Sequence, residues 1–428
     1  MPKRALIMVE GHRSNGLLYI QAARRLGLHP ITLSADPTQY DYLAEEGTEA
    51  IRVDTDNLEA LLDVCSGLRP TYDIAGITGF PDLDESLYVA VGKLCQYFDL
   101  PGPNPASIEQ CSDKFTQRQL LGQDGVPVPT YRLVSNAREV ENAAAEIGLP
   151  VIAKPAVGIG SSGVRLCRDA DELAEHMAYL LVGGHKWRSA PRILIEEFAE
   201  GQFCETTMMG KEVIAVGAAG FHRPPYFVPC ESIFPAPLTD EERKLVANVS
   251  LSCLRTLGLG WGPANIEFRW TKRGPVVIEV NPRVPGWTTP RLIQLAYGVD
   301  LVTEHIKLVI GEKCDPGARH SHAAAARFLV PDRDGILDRI EGIGLAAAEP
   351  GVVDVRFYVK PKTQIVRKGD YRDMIGHVIA ASPNLARTKA ILQRAVDLID
   401  WSITPFANGD EQEQFVASPS LTNSDSWL

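Results

Sequence analysis

The sequence predicts an α/β protein with an N-terminal open parallel α/β domain and a small C-terminal α+β domain. Short apolar strands alternate with helical segments over residues 1–111. Residues 112–318 carry longer strands joined by glycine-rich and polar turns, and strand patterns dominate residues 319–406. Because 428 residues exceed what one core organises, we expect several domains.

Composition and charge exclude several function classes. Apolar residues make up 45% and charged residues 23% of the chain, which is typical of a soluble globular protein. The net charge of −11 argues against a nucleic-acid or membrane partner. The eight cysteines form no CxxC pair, and no signal peptide or membrane-spanning apolar run is present, so we expect a cytoplasmic protein.

The N-terminal domain, residues 1–111, begins with a strand, a glycine-containing turn and a helix. The strand covers residues 5–9, and the helix begins near residue 17. The turn at residues 10–16 lacks the GxGxxG spacing of a dinucleotide site. We interpret it as an anion- or substrate-facing loop at a helix N-terminus, and a tight turn without a ligand fits equally well.

The next unit, residues 112–195, carries two lysines and a glycine-serine loop. Lys114 lies at the start of a helix, and Lys154 ends an apolar strand. The loop that follows, residues 158–163, contains Gly160, Ser161, Ser162 and Gly163, and it provides the backbone N–H groups that a phosphate-binding flap needs. It is not a Walker loop, because the lysine precedes the glycines. A plain hairpin turn is the alternative.

The unit at residues 196–318 contains a candidate metal site. After the apolar run 276–278, Glu279, Asn281 and Arg283 occupy every second position, so in a strand they share one face. Glu267 lies on a second strand, joined to the first by a turn, and a hairpin brings it beside Glu279. Two adjacent carboxylates and an amide oxygen suit Mg²⁺ bound to phosphate oxygens. The alternative is a surface hairpin whose charges face water.

The C-terminal unit, residues 319–406, is predicted to hold strands at residues 323–329, 352–359 and 377–381 and a helix over residues 384–401. The final residues, 407–428, are rich in Ser, Asp, Glu and Asn, and we expect them to be disordered.

Together these features resemble the ATP-grasp superfamily over roughly residues 100–310. The matching features, in chain order, are Lys114, Lys154 with its loop, the hinge Glu196-Glu197-Phe198-Ala199, Glu267, and the motif Glu279-x-Asn281-x-Arg283. Within the superfamily, the chain is most similar to bacterial L-amino-acid ligases that make dipeptides. Trp287 and the additional C-terminal unit carry this second likeness.

The resemblance implies an ATP-grasp fold that uses ATP and one or two Mg²⁺ ions, with Mn²⁺ as an alternative. It assigns the lysines, the flap and the hinge to ATP, and Glu205 to the ribose. It assigns the metal to Glu267, Glu279 and Asn281.

The resemblance also implies an enzyme that joins two amino acids through an acyl phosphate. Arg283 and the Gly286 N–H would stabilise the oxyanion, and Glu231, Ser232 and Trp287 would contact the amino-acid substrates. Trp287 as a core residue of the following helix is the alternative for that position. A homodimer is one option for the assembly.

Three other functions remain open at this stage. The first is a carboxylating or carbamoylating enzyme that uses bicarbonate. The second is another carboxylate–amine ligase of a natural-product pathway. The third is a silent ATP-binding regulatory module, which the complete metal and arginine set argues against.

Overall fold

A computed structural model describes residues 2–80, 86–184 and 191–406, and the tail predicted to be disordered lies outside these residues. The described strands form four sheets. Among the described residues, no helix combines the length and apolarity that a membrane crossing requires.

The N-terminal domain is a parallel sheet with strand order β3-β2-β1-β4. The apolar strand β1 is buried from Ala5 to Val9, as expected for a central parallel strand covered on both faces. The elements are β1 (Lys3–Val9), α1 (Gly16–Arg25), β2 (His29–Ser34), α2 (Asp41–Glu45), β3 (Glu49–Arg52), α3 (Leu58–Leu68), β4 (Tyr72–Gly79), α4 (Ser86–Tyr97) and α5 (Pro105–Cys111).

The small lobe is an antiparallel sheet with order β5-β8-β6-β7. Apolar residues of two helices, among them Val140 and Leu173, join the strands in one buried cluster. The elements are α6 (Lys114–Gln123), β5 (Tyr131–Val134), α7 (Ala137–Ile147), β6 (Val151–Pro155), β7 (Arg165–Cys167), α8 (Ala170–Tyr179) and β8 (Ile193–Glu197).

The large lobe begins with a long antiparallel meander and ends with two helices. Thr239 and Glu242 form a capping box at the start of α9. The elements are β9 (Gln202–Met209), β10 (Glu212–Phe221), β11 (Pro229–Phe234), α9 (Asp240–Thr256), β12 (Pro263–Thr271), β13 (Gly274–Asn281), α10 (Thr289–Tyr297) and α11 (Leu301–Val309).

The C-terminal unit extends the sheet of the large lobe. The elements are β14 (Ala323–Leu329), β15 (Gly335–Glu341), α12 (Ile343–Ala348), β16 (Val352–Phe357), β17 (Gln364–Ile365), β18 (Gly376–Ser382), α13 (Leu385–Asp397) and β19 (Asp400–Thr404). One eight-stranded sheet has the order β13-β12-β9-β10-β11-β14-β18-β16, so the predicted boundary at 318/319 is no break in the sheet. The predicted helix 384–401 ends at Asp397, and Trp401 lies in β19, which pairs with β15.

The two faces of the eight-stranded sheet have different neighbours. Cys204 and Met208 lie on one face and share a core with Val246 and Cys253 of α9. The alternate residues of the same strand, among them Phe203 and Glu205, lie on the opposite face. This second face carries the candidate site.

Candidate active site

Three glutamates lie side by side on neighbouring strands of the large sheet. Glu205 on β9 is paired with Glu267 on β12, and Glu267 is paired with Glu279 on β13. Residues paired across strands share a face, so the three carboxylates form a row. A parallel row two residues along consists of Thr207, Asn265 and Asn281.

Nearby charges shift the pKa values of Glu267 and Glu279 in opposite directions. Burial, together with the negative charges of Glu279 and Glu205, raises the pKa of Glu267 to about 8. Burial acts the same way on Glu279, but Lys114 and further cations outweigh it and lower the Glu279 pKa. Lys114 Nζ lies 2.8 Å from Glu279 Oε1. One carboxyl of the pair is therefore ionised, and the second gains a proton unless another cation is present.

This donor set fits a Mg²⁺ ion held jointly by protein and phosphate oxygens. Asn281 Nδ2 lies 3.4 Å from Glu267 Oε1, which brings the amide and the carboxylate together. A divalent cation between Glu267 and Glu279 would remove the repulsion that raises the Glu267 pKa. Within residues 2–80, 86–184 and 191–406, no three His, Cys, Asp or Glu side chains form a metal cluster of their own. Mg²⁺ commonly uses few carboxylates and completes its shell with substrate phosphates.

Glu205, which was expected to contact a ribose, lies in the carboxylate row beside Glu267. Its Oε2 accepts a hydrogen bond of 3.0 Å from Asn265 Nδ2, and burial raises its pKa. Glu205 lies beside Glu267 because of the register between β9 and β12. The sequence pattern did not indicate a strand at residues 202–209, so this position of Glu205 could not be predicted. The ribose contact of Glu205 stays a prediction.

Lys154 and Glu196 form a buried ion pair that includes a second cation, Arg118. The Glu196 carboxylate contacts Lys154 Nζ and accepts a bond of 2.6 Å from Arg118 Nε. Both cations outweigh burial and hold the Glu196 pKa below its usual value. The Glu196 side chain is thus engaged within the protein, and only its backbone remains for a ligand. Arg118 follows Lys114 by one helical turn, a spacing that could have identified it from sequence.

The hinge after β8 borders a small apolar cluster between the lobes. Glu197 binds Arg273 and Thr130 through its side chain, while the Phe198 ring lies 6.4 Å from that of Phe227. Ala199 is buried beside it. The cluster comprises Ile152, Val164, Leu166, Phe198, Phe221 and Phe227. Such a cluster suits the flat face of an aromatic base.

The glycine-serine flap contacts Lys114. Lys114 Nζ donates to Gly158 O at 2.6 Å, and His176 Nε2 lies 2.9 Å from Gly163 O. Gly160 and Ser161 have positive φ angles of 61° and 65°. Turns with this kind of backbone lie outside regular helices and strands and leave N–H groups available, and anion-binding loops use such groups.

The loop from Arg283 to Trp287 is held by the N-terminal domain. Asn15 Nδ2 donates to Pro285 O at 3.1 Å, and Trp287 N donates to Ser14 Oγ at 3.3 Å. Burial, with a smaller contribution from the Arg283 charge, lowers the pKa of His12 to about 4. The turn at residues 10–16 therefore faces the site, and the glycine-containing pattern after β1 was the signal for it.

Gly286 and Trp287 have the geometry of residues beside a ligand. A Cβ placed on Gly286 would meet no atom within 4 Å, so the space beside it is open. Trp287 has φ of +60°, a backbone conformation that is costly for a bulky residue and recurs at functional sites. Its ring lies outside α10, which begins at Thr289.

Ser232 and Glu231 lie on opposite faces of the sheet. Ser232 is paired through Ala219 with Phe203, so it shares the face of the carboxylate row. Glu231 faces away, where its carboxylate contacts Arg327 at 3.0 Å and Lys389 at 3.3 Å. A substrate contact of Glu231 is therefore not supported, because alternation along β11 turns it toward the C-terminal unit.

Comparison with protein families gives two matches along the chain. Residues 113–316 match the ATP-binding domain of the carbamoyl-phosphate synthase large chain. Residues 327–404 match the C-terminal domain 2 of L-amino acid ligases.

Among relatives, "Uncharacterized protein y4rH" of Sinorhizobium fredii is 56% identical over 96% of this chain and 86% of its own length. Human carnosine synthase 1 is 28% identical over 72% of this chain, which spans only 40% of that protein.

Solved structures share the fold at low identity. An L-amino acid ligase from Bacillus licheniformis superposes with a TM-score of 0.78 at 19% identity, covering 94% of this chain and 100% of that chain. An N5-carboxyaminoimidazole ribonucleotide synthetase from Thermotoga maritima superposes with a TM-score of 0.68 at 21% identity, again over 94% and 100%. The chain belongs to the ATP-grasp family of ATP-dependent carboxylate–amine ligases and carries the C-terminal domain of the L-amino acid ligases.

Proposed function

We propose that the protein joins the carboxylate of one L-amino acid to the amine of another and converts ATP to ADP and phosphate. The observation that carries this proposal is the junction at the 283–287 loop. There Arg283 lies two residues after Asn281, the last residue of β13. Trp287 contacts both the N-terminal loop, through Ser14, and the C-terminal unit, through Tyr371. The match of that C-terminal unit to L-amino acid ligases supports amino acids as the substrates.

ATP binds between the two lobes in this proposal. The adenine occupies the apolar cluster at the hinge, where backbone groups of residues 197–199 can pair with it. Lys114, Lys154 and the flap residues Gly160, Ser161, Ser162 and Gly163 surround the phosphates. Glu267, Glu279 and Asn281 would hold Mg²⁺, which would compensate the charge of the phosphate oxygens.

The chemistry proceeds in two steps. An oxygen of the first substrate carboxylate attacks the γ-phosphorus, and the bond to ADP breaks, which gives an acyl phosphate. The neutral amine of the second substrate then attacks the acyl carbon, loses a proton to solvent or phosphate, and expels inorganic phosphate. Arg283 and the Gly286 N–H stabilise the oxyanion of the tetrahedral intermediate. The flap excludes water that would hydrolyse the acyl phosphate.

A phosphate-release screen over pairs of amino acids tests the proposal, with mass spectrometry of the products. We expect phosphate release that requires ATP, Mg²⁺ and two amino acids, with a dipeptide formed in equal amount. A parallel reaction contains bicarbonate in place of the amino acids. Phosphate release that depends on bicarbonate alone, or no release with any pair, would overturn the proposal.

A further inference from the structure

A turn of the C-terminal unit, residues 370–373, lies directly against the flap. Tyr371 N donates to Gly160 O at 3.3 Å. A Cβ on Gly160 would lie closer than 3.0 Å to three atoms of the Tyr371 ring. Arg372 Nη2 approaches Ser162 Oγ at 3.5 Å, which is the limit of a hydrogen bond. The ring of Tyr371 therefore occupies the space where a flap side chain would otherwise lie.

The same ring contacts Trp287 on another side. The Tyr371 and Trp287 rings meet edge to face, with centroids 5.5 Å apart and an angle of 73° between their planes. Trp287 also packs edge to face against Phe328 of β14, at 6.2 Å. Edge-to-face aromatic pairs are attractive beyond their buried area. Tyr371 thus connects the flap on one side to the 283–287 loop on the other.

The turn that carries Tyr371 is held by buried carboxylates. Asp370 is 1% exposed, and it accepts bonds from Arg372 N at 2.9 Å and Arg372 Nη2 at 2.6 Å. Asp373 accepts bonds from the backbone N–H groups of Lys368 at 2.6 Å and Gly369 at 2.9 Å. Charge-assisted bonds of this kind fix a turn well, so the ring has a defined place.

We propose that Tyr371 is a specificity-determining residue for the ligation, because its ring packs against Trp287, forms with it one wall of the pocket for the acyl-donor side chain, and also supports the flap. This inference rests on the proposed function. A donor amino acid with a small side chain leaves the ring in place. A larger side chain displaces the ring, which withdraws support from the flap at Gly160.

Displacement of the Tyr371 ring uncouples ATP consumption from dipeptide formation. With the flap unsupported, water reaches the acyl phosphate, its oxygen attacks the acyl carbon, and the free amino acid and inorganic phosphate are released. Large donors are therefore consumed as ATP hydrolysis without dipeptide. The ratio of phosphate released to dipeptide formed reports on Tyr371 directly, and a residue that only stabilises the fold would leave that ratio unchanged.

Two substitutions at Tyr371 test this role on the full chain. Tyr371→Phe keeps the ring, so we expect an unchanged ratio. Tyr371→Ala removes it, and we expect donors with larger side chains to be accepted about tenfold better while the ratio rises for every donor. Leu345→Ala is a matched control, because Leu345 is 66% exposed on α12 of the same unit. An unchanged ratio and donor preference in Tyr371→Ala would overturn the proposal.

A double-mutant cycle with Gly160 tests the contact itself. Gly160→Ala places a methyl group against the ring and on a backbone with φ of +61°, so it should impair ligation. In the Tyr371→Ala background the steric conflict is gone and only the backbone strain remains, so the impairment should be smaller. Equal impairment in both backgrounds would show that Tyr371 and Gly160 do not act together and would overturn the proposal.

Hydrogen exchange of the flap separates failure of this inference from failure of the proposed function. Residues 158–163 are monitored with Mg²⁺ and a non-hydrolysable ATP analogue, which requires no amino-acid substrate. We expect protection in the unsubstituted protein and in Tyr371→Phe, and weaker protection in Tyr371→Ala. Equal protection in all three would overturn the flap contact, even if no amino-acid pair reacts in the product screen.

Discussion

Lys114, at the start of α6, and Glu279, near the end of β13, form an ion pair of 2.8 Å that joins the small lobe to the carboxylate row. The lysine holds the Glu279 carboxylate in its charged form despite burial, and it also donates to Gly158 O of the flap. A single ammonium group therefore connects the proposed metal site with the loop over the phosphates.

Glu279→Gln should abolish ligation, because it removes a metal charge while it keeps the shape of the side chain. Loss of one phosphate-bridging metal site should reduce the rate by orders of magnitude. Phosphate release measured against Mg²⁺ concentration checks this. Glu241→Gln, at an exposed position on α9, is the control. Normal turnover of Glu279→Gln at ordinary Mg²⁺ would remove Glu279 from the metal site.

Arg283→Lys should reduce the rate much more than the affinity for ATP. Lysine keeps the charge but loses the planar guanidinium that can donate two parallel hydrogen bonds. If Arg283 stabilises the oxyanion, the loss should be about 2.7–4 kcal/mol of transition-state stabilisation. Calorimetry with a non-hydrolysable ATP analogue and steady-state rates on the same preparation measure both quantities. Lost nucleotide binding would instead assign Arg283 to the phosphates.

The order of the main elements could be predicted because local pattern determines it. The apolar strands β1 and β13 and the capping box at Thr239 depend on neighbouring residues alone. The pairing of Glu267 with Glu279 also follows from one short turn, which fixes the register of a hairpin.

Contacts between distant segments could not be predicted in this way. The place of Glu205 depends on the register of β9 against β12, and β9 lacks a clear alternation of apolar and polar residues. Tyr371 reaches the flap from a turn far along the chain, so no local spacing indicates it. The extension of the large sheet by β14 likewise depends on pairing across a long connection, which a single sequence does not specify.

His305 should make the protein less stable as pH falls below the usual histidine range. Burial lowers its pKa from 6.5 to about 3, and Tyr19 Oη lies 2.5 Å from Nδ1. The unfolded chain takes up a proton near pH 6.5 while the folded protein does not, so stability falls as pH decreases between the two values. The loss from this group between pH 7.5 and pH 5.5 should be about 1.4 kcal/mol.

Urea unfolding of the unsubstituted protein and of His305→Gln, at pH 7.5 and pH 5.5, measures how much His305 contributes to the pH dependence of the free energy of unfolding. The pH dependence of the variant should be weaker by that amount, whatever its absolute stability. His320→Gln, at an exposed position, is the comparison variant. Identical pH dependence of the unsubstituted protein and His305→Gln would show that His305 takes up a proton equally readily in the folded and unfolded states, and would contradict the prediction.

Glu196→Gln should destabilise the small lobe strongly. The substitution leaves Arg118 and Lys154 buried without their shared counter-charge, and breaking a buried pair in this way costs about 3–5 kcal/mol. Because the Glu196 pKa is lowered in the folded state, its contribution is present above the usual glutamate range and is lost as pH falls below it. Denaturant unfolding at neutral pH is the measurement, and Glu175→Gln, at an exposed salt-bridge partner of Arg165, is the control. A free energy of unfolding equal to that of the unsubstituted protein would show that solvent reaches the cluster.

Trp287→Ala should broaden the choice of the amino acid that supplies the carboxylate. The indole packs against Tyr371 and follows Gly286, whose Cβ position is open. In the proposed function it forms a wall of the donor pocket and restricts that pocket to small side chains. Added apolar contacts of one or two methylene groups are worth only about 1–3 kcal/mol, so the rates with larger apolar donors should increase by modest factors.

The alternative is that Trp287 serves mainly as a packing residue against Phe328. Truncation would then cost about 3–5 kcal/mol of stability with no change in preference. Thermal unfolding and a panel of donor amino acids, measured on one preparation, separate the two, since a large loss of stability with an unchanged panel contradicts the pocket assignment.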